Sequence, residues 1–194
     1  GHFQVVLGQG PPYLFQGVPE ENPGAVEFFQ KRGYQAAWFS VNMRLDLAGY
    51  DPGQVDIPPV PEGVAFRLLE TGEEAALLAA VEDAQPAWLE FYQGCPSPIL
   101  VAAEQGQLVG FAMVPPEGGR FLGDVEKPGS LECVGVVKSH RNRGIGMGMV
   151  LAGIRWLKEQ GCGSIELRYV ALVDWYEKVG FCTFQRMWMG EKNL

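Results

Sequence analysis

The segment from Cys133 to Lys158 constrains the fold most, because it joins an apolar run, a basic loop, alternating glycines and a helical pattern. The apolar residues before Lys138 predict a β-strand. After the glycines, five apolar residues recur at the spacing of a helix with one buried face: Met147, Val150, Leu151, Ile154 and Leu157. This stretch is therefore predicted to fold as a strand, a turn and a helix.

The turn has the composition of a phosphate site. Gly144, Gly146 and Gly148 lack side chains, so a ligand could reach the unpaired N–H groups at the helix start. Arg141 and Arg143 add donors suited to phosphate oxygens, in a chain with 23 acidic and only 15 basic side chains. The glycine spacing matches neither a P-loop nor a dinucleotide fingerprint, and a structural turn with solvated arginines is the alternative.

Two motifs in this region resemble one known family. Val136 followed by Arg141-Asn142-Arg143-Gly144-Ile145-Gly146 resembles the acetyl-CoA signature of the GNAT superfamily of N-acetyltransferases, and Trp175-Tyr176-Glu177-Lys178-Val179-Gly180-Phe181 resembles its second signature. The resemblance extends from Val64 to the C-terminus. It implies an α/β (α+β) fold with a mixed central sheet flanked by helices, in which two strands splay apart to admit the coenzyme.

The resemblance also implies the site. Acetyl-CoA is the expected co-substrate, and no metal is expected; the predicted coenzyme-binding residues are Val134, Gly135, Val136, Val137, Arg141, Asn142, Arg143, Gly144, Ile145, Gly146, Met147 and Gly148. A backbone N–H at Val136 or Val137 would polarise the thioester carbonyl. Tyr176, with an ordinary pKa of about 10, would protonate the departing thiolate.

The general base is less defined by the motifs. Glu132 is the predicted base, with an ordered water as the alternative and with Glu166 and Tyr169 as weaker candidates. Tyr169 is also a departure, because the family often has an asparagine at this distance before the tyrosine. This departure puts in question the usual hydrogen bond around the pantetheine arm.

A second copy of the C-terminal motif lies near the N-terminus. Glu27–Tyr34 (EFFQKRGY) aligns without a gap with residues 174–181 (DWYEKVGF), each residue with the one 147 positions later. Such a repeat predicts two copies of one domain. We predict a partial, degenerate GNAT domain in residues 1–47, a Pro/Gly-rich linker in 48–63 and a complete GNAT acetyltransferase domain in 64–194. Phe29 stands where the second copy has Tyr176, so the first copy lacks the hydroxyl.

Local patterns predict the remaining elements. Helices are expected after Asn22 and Pro86 and after a capping box at Thr71-Gly72-Glu73-Glu74. Strands are expected at 3–7, 13–18, 36–47, 64–69, 99–103, 108–114, 131–137, 164–170 and 182–189.

Charge and composition exclude some functions. The net charge of −8 argues against a nucleic-acid binder and is compatible with a cationic amine substrate. No apolar run reaches the ~18–20 residues of a membrane span, and no secretory signal is recognised, so a cytoplasmic location is predicted. The four cysteines match no zinc spacing.

Together the motifs predict an acetyl-CoA-dependent N-acetyltransferase, in which the primary amine of a small molecule or peptide attacks directly in a ternary complex. A non-catalytic CoA-binding regulatory or interaction module is the alternative. A longer acyl donor such as succinyl-CoA would share every motif, and a homodimer stays open.

Overall fold

A computed structural model of the chain describes residues 3–7, 17–118 and 128–194. The strands in this part of the chain are β1 Gln4–Val6, β2 Val18–Pro19, β3 Gln35–Asp46, β4 Val64–Leu68, β5 Ile99–Glu104, β6 Gln107–Met113, β7 Pro128–Ser130, β8 Glu132–Val136, β9 Ser164–Val170 and β10 Cys182–Asn193. The helices are α1 Pro23–Gln30, α2 Glu74–Ala84, α3 Leu89–Tyr92, α4 Ile145–Glu159 and α5 Val173–Glu177.

The chain forms two compact units. One consists of Gly1–Arg44 together with Leu167–Leu194, and the other of Leu45–Glu166, so that one boundary falls inside β3 and the other inside β9. The predicted division into residues 1–47, 48–63 and 64–194 follows the sequence repeat instead, and it stays a prediction.

The larger unit has a four-stranded antiparallel sheet in the order β4-β5-β6-β8. One face packs on α2, through a core that includes Val81, Val101 and Phe111. The other face carries small residues where α4 approaches it. A Cβ on Gly110 would lie 2.5 Å from Met149 Sδ, so glycine lets the helix pack close to the sheet.

Parallel pairing also occurs in this unit. Pro128 to Ser130 of β7 pair in parallel with Ser164 to Glu166 of β9, in a different sheet from β4, β5, β6 and β8. The predicted α+β fold, with mixed strand directions and flanking helices, is therefore confirmed. Within the described ranges, no helix is both long and apolar enough to cross a membrane.

The smaller unit is built on the antiparallel pair β3 and β10. At the centre of this pairing Ser40 lies opposite Met187. These two residues are 147 positions apart, so they are equivalent positions of the sequence repeat. The offset also converts each remaining pair into another observed pair: Phe39–Trp188 into Val41–Arg186, Trp38–Met189 into Asn42–Gln185, Ala36–Gly190 into Met43–Thr183, and Gln35–Glu191 into Arg44–Cys182. The two segments are thus related by a local two-fold axis, as in an isologous interface.

The helix that precedes each of these strands ends in the same way. Gly33 and Gly180 have φ of 83° and 94°, and the amide of the next residue donates back to Phe29 O at 3.2 Å and to Tyr176 O at 3.3 Å. The rings of Phe29 and Tyr34 meet edge-on at 5.5 Å, as those of Tyr176 and Phe181 do at 5.8 Å. The geometry repeats with the sequence, while its interpretation as half of a second domain stays a prediction.

Most predicted elements lie within two residues of the observed bounds, and strand 164–170 has the predicted bounds. The last strand is longer than predicted and ends at Asn193. The strand at 13–18 lies largely outside the described residues. The capping box is wrong: α2 begins without a side-chain cap, because the Glu73 carboxylate accepts hydrogen bonds from Arg67 and from the amide of Glu70.

Candidate functional site

The start of α4 presents main-chain donors. Gly144 precedes the helix in the left-handed region (φ 76°), and no side chain caps it. Within the described part of the chain, the amides of Gly144, Ile145, Gly146 and Met147 have no acceptor, and the first helical bond runs from Gly148 N to Gly144 O at 3.0 Å. These N–H groups lie at the positive end of a 15-residue helix, which is the geometry that binds phosphate.

The glycines of the turn are required by a close approach of the predicted linker. A Cβ on Gly144 would lie 2.6 Å from Pro59 O and 2.9 Å from Pro58 O, and one on Gly148 would lie 2.7 Å from Val60 Cγ2. Lys158, in the last turn of α4, donates to Tyr50 O at 2.6 Å. Residues of the 48–63 segment therefore pack on both ends of α4.

Both arginines of the motif are bound by the protein. Arg141 donates through Nε to Val136 O at 3.1 Å and through a terminal nitrogen to Ala84 O at 2.9 Å. Arg143 forms two hydrogen bonds to the Glu104 carboxylate, at 3.0 and 2.7 Å. The two guanidinium groups thus bind the loop to the sheet and to the end of α2. The main-chain amides of the turn remain as donors for a phosphate.

One of the two amides predicted for the thioester carbonyl faces outward. Val137 N donates to Val109 O of β6 at 3.0 Å. Because bonding alternates along an antiparallel ladder, the N–H and C=O of Val136 point away from β6, in agreement with the bond from Arg141 to Val136 O. β8 is the last strand of its sheet among the described strands, which leaves the Val136 amide as the candidate donor.

A bulge bends β8 before this point. Cys133 has a φ of 48°, and the register with β6 shifts between Phe111 and Met113. Tyr92 is buried and donates to Cys133 O at 2.8 Å. Burial raises the pKa of Tyr92 above its ordinary value and raises the pKa of the Cys133 thiol to about 12, so both stay protonated. Gly135 leaves room for the Phe111 ring, which Tyr92 meets edge-on at 5.1 Å.

The other predicted residues are distributed over both units. Val134 and Glu132 are half-buried in β8, where Glu132 is opposite Met113. Asn142 is exposed with a φ of 60°, whereas the side chains of Ile145 and Met147 are buried. Tyr176 lies on α5 in the smaller unit and meets the Trp175 ring edge-on at 4.8 Å. In the described ranges, no three His, Cys, Asp or Glu residues cluster as a metal site would require.

The motifs did not reveal the carboxylate that holds the loop. Glu104 accepts from Arg143, 39 residues away, and its Oε2 lies 3.1 Å from His140 Nε2. Ser139 Oγ lies 2.8 Å from the other ring nitrogen of His140. No local pattern predicts this cluster, because the end of a strand contacts a loop that lies far along the chain.

A family model described as "Acetyltransferase (GNAT) family" matches residues 66–181, which is more than half of the chain. This range includes the turn, α4, β8 and Tyr176, and it ends at Phe181.

Similar proteins include two mycothiol acetyltransferases. The one from Actinosynnema mirum is 29% identical over 190 residues, covering 89% of this chain and 61% of the relative, and the one from Amycolatopsis mediterranei is 25% identical, covering 83% and 59%. The chain therefore spans about three fifths of the length of the curated relatives it matches. A solved GCN5-related glucosamine N-acetyltransferase region of a fungal multi-domain GH3 β-N-acetylglucosaminidase is 25% identical, with a TM-score of 0.79 over 97% of this chain and 25% of that one.

Proposed function

Because the chain belongs to the acetyltransferase (GNAT) family, we propose that it transfers an acetyl group from acetyl-CoA to a primary amine by direct attack in a ternary complex. The observation that carries this proposal is the row of amides from Gly144 to Met147, which have no acceptor within the described residues. The pyrophosphate of the coenzyme needs several N–H donors, and the four amides of the turn supply them.

The remaining chemistry is proposed for residues that the two motifs and β8 supply. The Val136 N–H would donate to the thioester carbonyl oxygen, where negative charge develops as the amine attacks. A C–N bond forms and the C–S bond breaks, so the amine loses a proton and the sulfur gains one. Tyr176 would donate the proton to the sulfur, and Glu132 or a water would accept the proton of the amine.

The acceptor proposed for the first tests is an amine carried by an amino sugar or a related small molecule. The support is the similarity to one protein region named for glucosamine and to two proteins named for mycothiol. The net charge of −8 also favours approach of a cationic amine, because long-range attraction raises its local concentration.

The test is an assay of CoA release with glucosamine, desacetyl-mycothiol and short peptides as acceptors, with mass spectrometry of the product. The proposal expects an acetylated amine and release of free CoA in equal amounts. Calorimetric binding of acetyl-CoA without turnover on any amine would instead favour a non-catalytic module. Absence of coenzyme binding would overturn the proposal altogether.

A further inference from the structure

Glu104 is the last residue of β5, and its carboxylate contacts two residues of the loop between β8 and α4. It accepts two hydrogen bonds from Arg143, at 3.0 and 2.7 Å, and lies 3.1 Å from His140 Nε2. We propose that Glu104 is a positioning residue, which holds the turn amides in place for the coenzyme diphosphate. This inference rests on the proposed function.

The loop needs support from outside because a residue other than glycine, Asn142, has a left-handed backbone conformation. Asn142 has a φ of 60° and Gly144 one of 76°, two left-handed residues within three positions. Such conformations persist where surrounding contacts fix them. Arg143 lies between these two residues. Its ion pair with Glu104 therefore fixes the loop immediately before the amide of Gly144, which is the first donor of the turn.

The support comes from a rigid element. Residue 104 pairs with Val64 of β4 on one side and with Gln107 of β6 on the other, so the end of β5 is held in the sheet. The Glu104 side chain is only 15% exposed. The Arg143 guanidinium holds the pKa of the Glu104 carboxyl below its ordinary value, and Glu104 raises the pKa of Arg143, so the pair is charged at neutral pH.

Two roles of Glu104 predict effects of opposite sign on coenzyme affinity. If the carboxylate positions the amides, its neutralisation lets the loop relax and weakens binding. If it merely competes with phosphate for Arg143, its neutralisation frees a guanidinium and tightens binding. The sign of the change therefore separates the two roles.

The chain offers a matched control for this experiment. Glu73 forms the same two-pronged pair with Arg67, at 2.7 and 2.7 Å, in the same unit but between the end of β4 and the start of α2. We expect Glu104→Gln to raise the Kd and the KM for acetyl-CoA about tenfold, with kcat changed by less than about twofold. Glu73→Gln should leave Kd, KM and kcat at the wild-type values.

A double-mutant cycle tests the pair even if Glu104→Gln is less stable. Glu104→Gln, Arg143→Gln and the double variant are compared by calorimetric titration with acetyl-CoA, and the double variant should bind about as weakly as Arg143→Gln alone. Unchanged or tighter binding by Glu104→Gln, or additive losses in the cycle, would overturn the positioning role. If the wild-type chain itself does not bind acetyl-CoA, the proposed function fails instead.

Discussion

Tyr176 and Phe29 occupy equivalent places in the repeated motif and differ by one hydroxyl. Their rings have the same edge-on neighbours, since Tyr176 contacts Phe181 as Phe29 contacts Tyr34. In the first copy of the motif, the ring at this position therefore packs without a hydroxyl.

Replacing Tyr176 by Phe is expected to lower the rate of acetyl transfer tenfold or more, because the departing thiolate loses its proton donor. The affinity for CoA should change little. Steady-state kinetics and calorimetry on Tyr176→Phe measure the two quantities, and Tyr34→Phe, in the first copy of the motif, is the control. A transfer rate equal to that of the wild type would remove Tyr176 as the acid.

Tyr92 has a structural role at the residue scale. Its hydroxyl donates a hydrogen bond to the carbonyl of Cys133, a residue with a left-handed backbone conformation in the bulge of β8. Tyr92 is 3% exposed. Tyr92→Phe should lower the free energy of unfolding by about 1–3 kcal/mol, since the partly buried carbonyl of Cys133 loses its side-chain donor. Urea denaturation measures this change, with Tyr34→Phe as the control because Tyr34 is half-buried. A smaller loss of unfolding free energy in Tyr92→Phe than in Tyr34→Phe would contradict the prediction.

At the scale of elements, the strand, turn and helix around Gly144 could be predicted from sequence because their signals are local. The alternating glycines and the helical spacing of the apolar residues lie within one segment. The contacts that fix the turn could not be predicted, because Pro58, Pro59 and Glu104 are distant in sequence. The capping box failed because the helix begins later than the motif predicts: the N-cap residue is Glu73 rather than Thr71, and the Glu73 carboxylate is bound by Arg67.

The turn can be tested with two glycines that flank the same helix. Gly144 and Gly161 have φ of 76° and 81°, but only Gly144 has backbone carbonyls within 3 Å of the Cβ position. Gly161→Ala should lower the free energy of unfolding by about 1–2 kcal/mol through backbone strain alone. Gly144→Ala should be less stable than Gly161→Ala and should also bind the coenzyme more weakly. Thermal unfolding and calorimetry measure the two effects, and equal effects of the two substitutions would contradict the close contact of Gly144 with Pro58 and Pro59.

At the scale of the whole molecule, the sequence revealed less of the repeat than the structure does. Sequence similarity between the two copies is limited to eight residues, because the strands that follow have different side chains. For example, Trp38 corresponds to Gln185 and Asn42 to Met189. Backbone pairing is less sensitive to side-chain identity, so the two-fold register of β3 and β10 continues where the sequence similarity ends.

The account of function depends on coenzyme binding by the main chain at the start of α4. A crystal structure of the chain with acetyl-CoA tests this most directly. The account predicts pyrophosphate oxygens within hydrogen-bond distance of the amides from Gly144 to Met147, with the thioester carbonyl facing the Val136 N–H. A coenzyme bound elsewhere, or a turn whose amides bond to protein atoms at millimolar acetyl-CoA, would contradict it.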